Sequence, residues 1–132
     1  MRTVTDVERF LTDSAVKFQD FGGGLFIVTD ETSGLRQLAI KVQDDVVVFQ
    51  LRVMDVPAKN DKGREALFEK LLLLNGEGLL HAAFALLEDG IYLQAALPLL
   101  NLDPNEMQAV LDDIGLAVSQ HLPELRGEKR AN

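Results

Sequence analysis

The 132-residue chain has no cysteine, and its 13 Lys and Arg residues are outnumbered by 21 Asp and Glu residues. The absence of cysteine excludes disulfides, thiolate catalysis and cysteine metal sites. The net charge of −8 argues against contact with nucleic-acid phosphates and with an anionic membrane surface. We therefore expect neither nucleic acid nor membrane as a partner, and expect instead basic or amphipathic polypeptides.

The chain also lacks a hydrophobic run long enough to cross a membrane. The leucines at 71–74 are followed at once by Asn75, Gly76 and Glu77, well short of the roughly 18 apolar residues that a span needs. The first eight residues include the charged Arg2, Asp6 and Glu8, and no apolar stretch typical of a signal peptide follows. These patterns predict a cytoplasmic protein.

Hydrophobic periodicity predicts a mixed fold. A first helix is indicated by the capping-box spacing of Thr5 and Glu8 and by an apolar face that runs as far as Phe18. Alternating apolar residues then predict three strands, a middle helix over about 64–74 and two further strands. Asp103, Pro104 and Glu106 have the order typical of the start of a last helix.

The predicted fold class is therefore α+β, with the order α-β-β-β-α-β-β-α and a mainly antiparallel sheet packed by helices. All but one of the connections between strands are short turns, which favours antiparallel pairing. We expect a single domain over residues 1–125, followed by a disordered polar tail over 126–132.

The middle helix and the strand after it carry more apolar surface than one sheet can cover. Apolar residues of the helix span an arc of about 160°, whereas a helix on a sheet needs about 100°. Two interpretations are open: a well-covered helix beside a buried central strand, or a homodimer interface. We expect the homodimer, because so large an exposed patch is rare on monomers. The predicted interface residues are Phe68, Leu71, Leu72, Leu73 and Phe84.

No arrangement of catalytic residues is present. The glycines at 22–24 precede a predicted strand, so no helix N-terminus is available to bind phosphate. His81 and His121 lack the neighbouring ligands that a metal site requires. Asp112 and Asp113 are predicted to lie on the solvent face of the last helix, where no pocket separates their pKa values. We therefore expect no enzymatic activity, no metal ion and no cofactor.

Three segments carry a family resemblance: "LLLLN" at 71–75, "FALLEDGIYLQAALPL" at 84–99 and "LDPNEMQAVLDDI" at 102–114. Together with the order of elements, they resemble the Tir-chaperone-like (CesT) family of type III secretion chaperones. They also resemble the YbjN-like domains that share this fold, to which "HLPEL" at 121–125 is the more similar. Upstream of residue 71, only the pattern of one helix and three strands matches.

The resemblance implies a small, acidic, cytosolic dimer without enzymatic activity, in which the middle helix and its neighbouring strand pair across the two-fold axis. Members of this family hold an extended segment of a client protein through strand addition and apolar pockets. The candidate partner-binding residues are Phe26, Val28, Val46 and Val48.

Two alternatives remain open. The chain resembles YbjN-like regulatory modules as well as chaperones. A small-molecule-binding domain or an enzyme would instead use the face of the sheet. Such a site is predicted to be lined by Arg52, His81, Tyr92 and Gln94.

Overall fold

The computed structural model describes residues 2–30, 35 and 37–125. The elements, in chain order, are α1 (Val4–Asp13), β1 (Phe18–Gly22), β2 (Leu25–Val28), β3 (Leu38–Gln43), β4 (Val46–Met54), α2 (Arg64–Glu77), β5 (Ala83–Leu87), β6 (Gly90–Pro98), α3 (Pro104–Gln120) and α4 (Leu122–Leu125). The predicted α+β class, with an antiparallel sheet packed by helices, is confirmed. The predicted disordered tail over 126–132 lies outside the described residues.

The six strands form one antiparallel sheet in the order β1-β2-β3-β4-β6-β5. β1 and β5 are therefore its edges, and α2 connects β4 to β5. Directly opposite residues of antiparallel strands lie on the same face of the sheet. Phe49, for example, lies opposite Ile40 on one side and Ala95 on the other.

One face of the sheet is covered by the helices. Phe26, Ile40, Phe49 and Leu93 of this face have no exposed surface, and they pack with buried residues of α1, α2 and α3 in a single core. The alternate residues Val47, Phe49, Leu51 and Val53 of β4 are buried on this face.

The other face has no fully buried side chain, so the helices lie on one side of the sheet. We call this other face the open face. It consists of Gln19, Leu25, Ile27, Ala39, Lys41, Gln43, Val46, Val48, Gln50, Arg52, Ala83, Ala85, Leu87, Tyr92, Gln94, Ala96 and Pro98.

The first helix is shorter than predicted, and its missing part is an additional strand. α1 ends at Asp13, and Ala15 follows with a positive φ of 61°, which a right-handed helix does not allow. Phe18, the predicted end of the helical face, instead begins β1 and packs its ring edge-on against Phe26. Four strands therefore precede α2. The helix also starts earlier, with Thr3 and Asp6 rather than Thr5 and Glu8 forming the capping box.

The predicted start of the last helix is confirmed. The Asp103 carboxylate accepts a hydrogen bond from the backbone N–H of Asn105, and the Asp103 N–H donates to the Glu106 carboxylate. With Pro104 in the first turn, these contacts satisfy N–H groups that have no partner within the helix. α3 therefore begins at a defined residue beside the sheet.

Candidate functional site

The apolar surplus of the middle helix is exposed in the structure. In α2, Leu71 and Leu74 are buried, whereas Leu72 is 70% exposed and Leu73 is 50% exposed. Four consecutive leucines cannot all face one sheet, because successive helical residues are about 100° apart. Two of the four therefore point away from the core.

Two further leucines are exposed next to α2 in the chain. Leu80, in the connection to β5, is 89% exposed, and Leu86, in β5, is 54% exposed. We call Leu72, Leu73, Leu80 and Leu86 the leucine surface. Leu72, Leu73 and Leu86 lie in the helix and the strand that are predicted to form a homodimer interface, and Leu80 lies in the connection between these two elements.

The other predicted interface residues lie deeper. Phe68 is partly buried, and the guanidinium of Arg64 lies 4.7 Å from the centre of its ring. Leu71 and Phe84 are more than nine-tenths buried within this chain. Of the five predicted interface residues, Leu72 and Leu73 are therefore the two that are exposed.

An open groove runs along the outer side of α2, with a volume of about 710 Å³. Phe68, Leu72 and Leu73 form its apolar part, and charged residues of the α2 N-terminus and the preceding loop form its rim. A groove of this kind fits an apolar ridge with a polar border, such as another amphipathic helix.

Asn75 fastens α2 to the edge strand. Its side-chain amide donates to the backbone oxygen of Phe84 (3.1 Å) and accepts from the backbone N–H of Phe84 (2.7 Å). A paired strand would supply the same donor and acceptor. α2 continues beyond its predicted end at residue 74, through Asn75 to Glu77. The Asn75 side chain does not end the helix, because it bonds to the strand instead.

Asp113 holds the connection between α2 and β5. Its carboxylate accepts from three consecutive backbone N–H groups, at 3.2 Å from Leu80, 2.8 Å from His81 and 2.8 Å from Ala82. The prediction that Asp113 faces solvent is wrong, since its side chain is only 7% exposed. Asp112, in contrast, is exposed as predicted.

A sequence signal for Asp113 exists. Val110, Asp113 and Ala117 are three and four residues apart, a spacing that places all three on one helical face. Val110 and Ala117 belong to the core, so Asp113 is a carboxylate on a buried face, where partners are required. No comparable signal identifies Asn75.

The predicted partner-binding residues are divided between the two faces of the sheet. Phe26 and Val28 have no exposed surface, so in this fold a partner cannot contact them. Val46 is 37% exposed and Val48 is partly exposed, both on the open face. Strand residues alternate between the two faces of a sheet, and the two residues predicted in β2 lie on the face that the helices cover.

Two of the four side chains predicted for a small-molecule site, Arg52 and Tyr92, bond to a hairpin turn, and a third, Gln94, accepts a hydrogen bond from Gln50 on the open face. Arg52 donates to the Asp55 carboxylate (2.6 Å) and to the backbone oxygen of Asp89 (2.8 Å), and the Tyr92 hydroxyl donates to the Asp89 carboxylate (2.8 Å). His81 is exposed and precedes β5 rather than joining them on the sheet. These bonds tie the turn between β5 and β6 to the end of β4.

The hydrogen bond from its hydroxyl to Asp89 raises the pKa of Tyr92, since ionisation would remove the shared proton. As Tyr92 is the only tyrosine, titration of the phenolate absorbance measures this group alone. We expect a midpoint above the ordinary value of about 10. Asp89→Asn removes the carboxylate and should lower the midpoint. Equal midpoints in the two proteins would contradict the hydrogen bond.

Within the described residues, no cluster of three or more His, Asp and Glu side chains is arranged to hold a metal ion. None of the helices in this part of the chain is both long enough and apolar enough to span a membrane.

Comparisons with known proteins agree with this architecture. The sequence profile of the CesT_Tir_1 family matches residues 1–129. The crystal structure of YbjN from E. coli, a proposed transcription regulator, is similar with a TM-score of 0.67 and 13% sequence identity. The matched region covers 95% of this chain and 92% of YbjN, and at this identity the likeness shows the fold. No protein with a curated description matches the chain in sequence.

Proposed function

Because the chain belongs to the CesT_Tir_1 family of type III secretion chaperones, we propose that it is a cytoplasmic, homodimeric module that holds an apolar segment of a partner protein. Membership of a family of binding proteins supports a protein-binding, non-enzymatic role. The main support for the proposal is the leucine surface, because its four apolar side chains are exposed and come from α2 and the residues that follow it in the chain.

The leucine surface is the proposed dimer interface. Complete burial of a leucine side chain stabilises by about 1.5–3 kcal/mol, so covering four of them is a substantial driving force. In a two-fold dimer, the same surface of each chain meets its copy, so one apolar patch is sufficient for both subunits. The charged rim of the α2 groove then surrounds an apolar centre, as in other protein interfaces.

The partner segment is proposed to bind the other exposed parts of the sheet. The outward backbone groups of Phe84 in β5 are already bonded to Asn75, which favours the edge at β1 for strand addition. Val46 and Val48 lie on the open face and remain the proposed partner contacts. Partner and second subunit thus use different surfaces of the chain.

Molar mass in solution tests the interface. We expect light scattering to give twice the 14.6 kDa of one chain for the wild type. Leu72→Glu/Leu73→Glu places two charges on the leucine surface and should reduce the mass to that of one chain, with an unchanged circular dichroism spectrum.

A matched control separates the interface from general surface charge. Leu100→Glu/Leu116→Glu alters two leucines that are 59% and 44% exposed and lie outside the leucine surface, so this variant should stay dimeric. A wild type that is monomeric at all concentrations would overturn the proposed homodimer. Dissociation of both variants would show that any added charge disrupts the assembly.

A further inference from the structure

The open face has a charge pattern opposite to that of the whole chain. The chain carries 21 Asp and Glu residues, but no strand residue of the open face is acidic, and Lys41 and Arg52 are basic. Asp20 of β1 lies opposite the buried Phe26 and so belongs to the other face of the sheet. Asp55 and Asp89 lie at one margin of the open face, where they bond to Arg52 and Tyr92. Away from that margin, the charged strand residue of the open face is Lys41.

Lys41 is the uncompensated charge of this face. Arg52 is paired with Asp55 at 2.6 Å, whereas Lys41 forms no ion pair with any residue between 2 and 125 that the structure describes. Lys41 lies directly between Leu25 on β2 and Val48 on β4. Side chains so placed are about 4.5–5.5 Å apart at Cβ, so the aliphatic part of the Lys41 side chain begins between two apolar residues.

A shallow depression of about 290 Å³ surrounds this lysine. Leu25, Ala39 and Val48 supply apolar contacts, and Gln43 and Gln50 supply amide donors and acceptors. The Gln50 amide also donates to the Gln94 side chain at 3.2 Å, which extends the row of amides onto β6. The depression can accept an apolar side chain, a carboxylate and backbone hydrogen bonds at the same time.

We propose that the open face binds an extended partner segment whose sheet-facing side chains are apolar apart from one Asp or Glu, with that carboxylate placed on Lys41. The inference rests on the proposed partner-binding function and identifies the chemical class of that partner. It reverses the expectation from net charge, which favoured basic partners. Charges are screened over about 8 Å at physiological ionic strength, so the nearby lysine outweighs carboxylates on the far side of the sheet.

Three fluorescent ten-residue peptides test this. In each, every second residue is valine or leucine except for one central position, which is Glu, Ser or Lys, and the residues between them are Ser, so the variable side chain faces the same way as the apolar ones. An exposed ion pair contributes up to about 1 kcal/mol, so we expect the Glu peptide to bind up to about fivefold more tightly than the Ser peptide at low salt, and the Lys peptide to bind more weakly than both. Added salt should reduce this ratio. Amide chemical shifts of Lys41, Gln50 and Gln94 report whether the open face is occupied.

Charge reversal supplies the matched comparison. Lys41→Glu should remove the preference for the Glu peptide or invert it, whereas Arg9→Glu, a charge reversal at an exposed position of α1 outside the proposed partner and dimer surfaces, should leave the preference intact. Tighter binding of the Lys peptide, or a preference that survives Lys41→Glu, overturns the acidic partner and leaves partner binding in place. If no peptide shifts the open-face resonances, the open face is not the partner site. The dimer, which is tested by mass, is unaffected by either result.

Discussion

Asp113→Ala is expected to lower the free energy of unfolding by about 3 kcal/mol, from the loss of two strong charge-assisted hydrogen bonds at about 1.5 kcal/mol each. The bonds to the N–H groups of His81 and Ala82 are the short ones, at 2.8 Å. Ala82 is buried, so its N–H cannot turn to water when the carboxylate is removed. Urea denaturation followed by circular dichroism measures the change.

Two variants make the Asp113 result specific. Asp112→Ala alters the adjacent, exposed carboxylate, which accepts one hydrogen bond from Gln108, and should change stability by less than about 0.5 kcal/mol. Asp113→Asn keeps one acceptor oxygen, and a single oxygen accepts all three N–H groups in the wild type. We therefore expect the Asn variant to lie between wild type and Ala. Equal stability of the Ala variant and wild type would mean that the connection has another anchor.

The Asp113 contact also determines how the leucine surface is presented. It fixes the backbone at Leu80, whose side chain then projects into solvent at 89% exposure. A free loop would lose conformational entropy on binding, at about 1–2 kcal/mol for each residue that becomes ordered. Because Asp113 orders the connection beforehand, the proposed association of two chains through the leucine surface would avoid part of this cost.

Local sequence patterns correctly predict those helices and strands whose residues fit only one type of secondary structure. The cap at Asp103, the alternation of β4 and the hairpin of β5 and β6 agree with the structure, because turn residues and period-two patterns have few alternatives. Phe18 satisfied both a helical and a strand spacing, so α1 was extended too far and β1 was missed. Local pattern could not decide that case.

The polar contacts of the candidate site were less predictable, because their partners are distant in the chain. Asp113 bonds to backbone more than 30 residues away, and only the three-dimensional fold brings the two together. The leucine surplus was visible in the sequence, but which leucines stay exposed depends on how α2 is rotated on the sheet. Net charge was a poor guide to the open face, since total composition does not report how charge is distributed among faces.

Asn75→Ala is expected to destabilise the fold by about 2 kcal/mol, because it breaks two hydrogen bonds that together close the outer edge of β5 at Phe84. The N–H and C=O of Phe84 then become available for pairing with another chain. We therefore expect concentration-dependent association beyond the dimer in light scattering. Asn105→Ala, at an exposed position of the α3 N-terminus, removes a side chain of the same size and should leave both stability and mass unchanged.

Hydrogen exchange at the Phe84 amide distinguishes loss of the Asn75 contact from general loosening. In the wild type, this amide is protected by the Asn75 side chain even though it faces outward from an edge strand. In Asn75→Ala, exchange at the Phe84 amide should become much faster. The Leu93 amide lies in β6, between two strands, and its exchange should become faster only by the amount that the lower global stability accounts for. Parallel changes at Phe84 and Leu93 would contradict a local contact. Selective exposure of Phe84 would establish that one asparagine of α2 substitutes for a seventh strand at this edge.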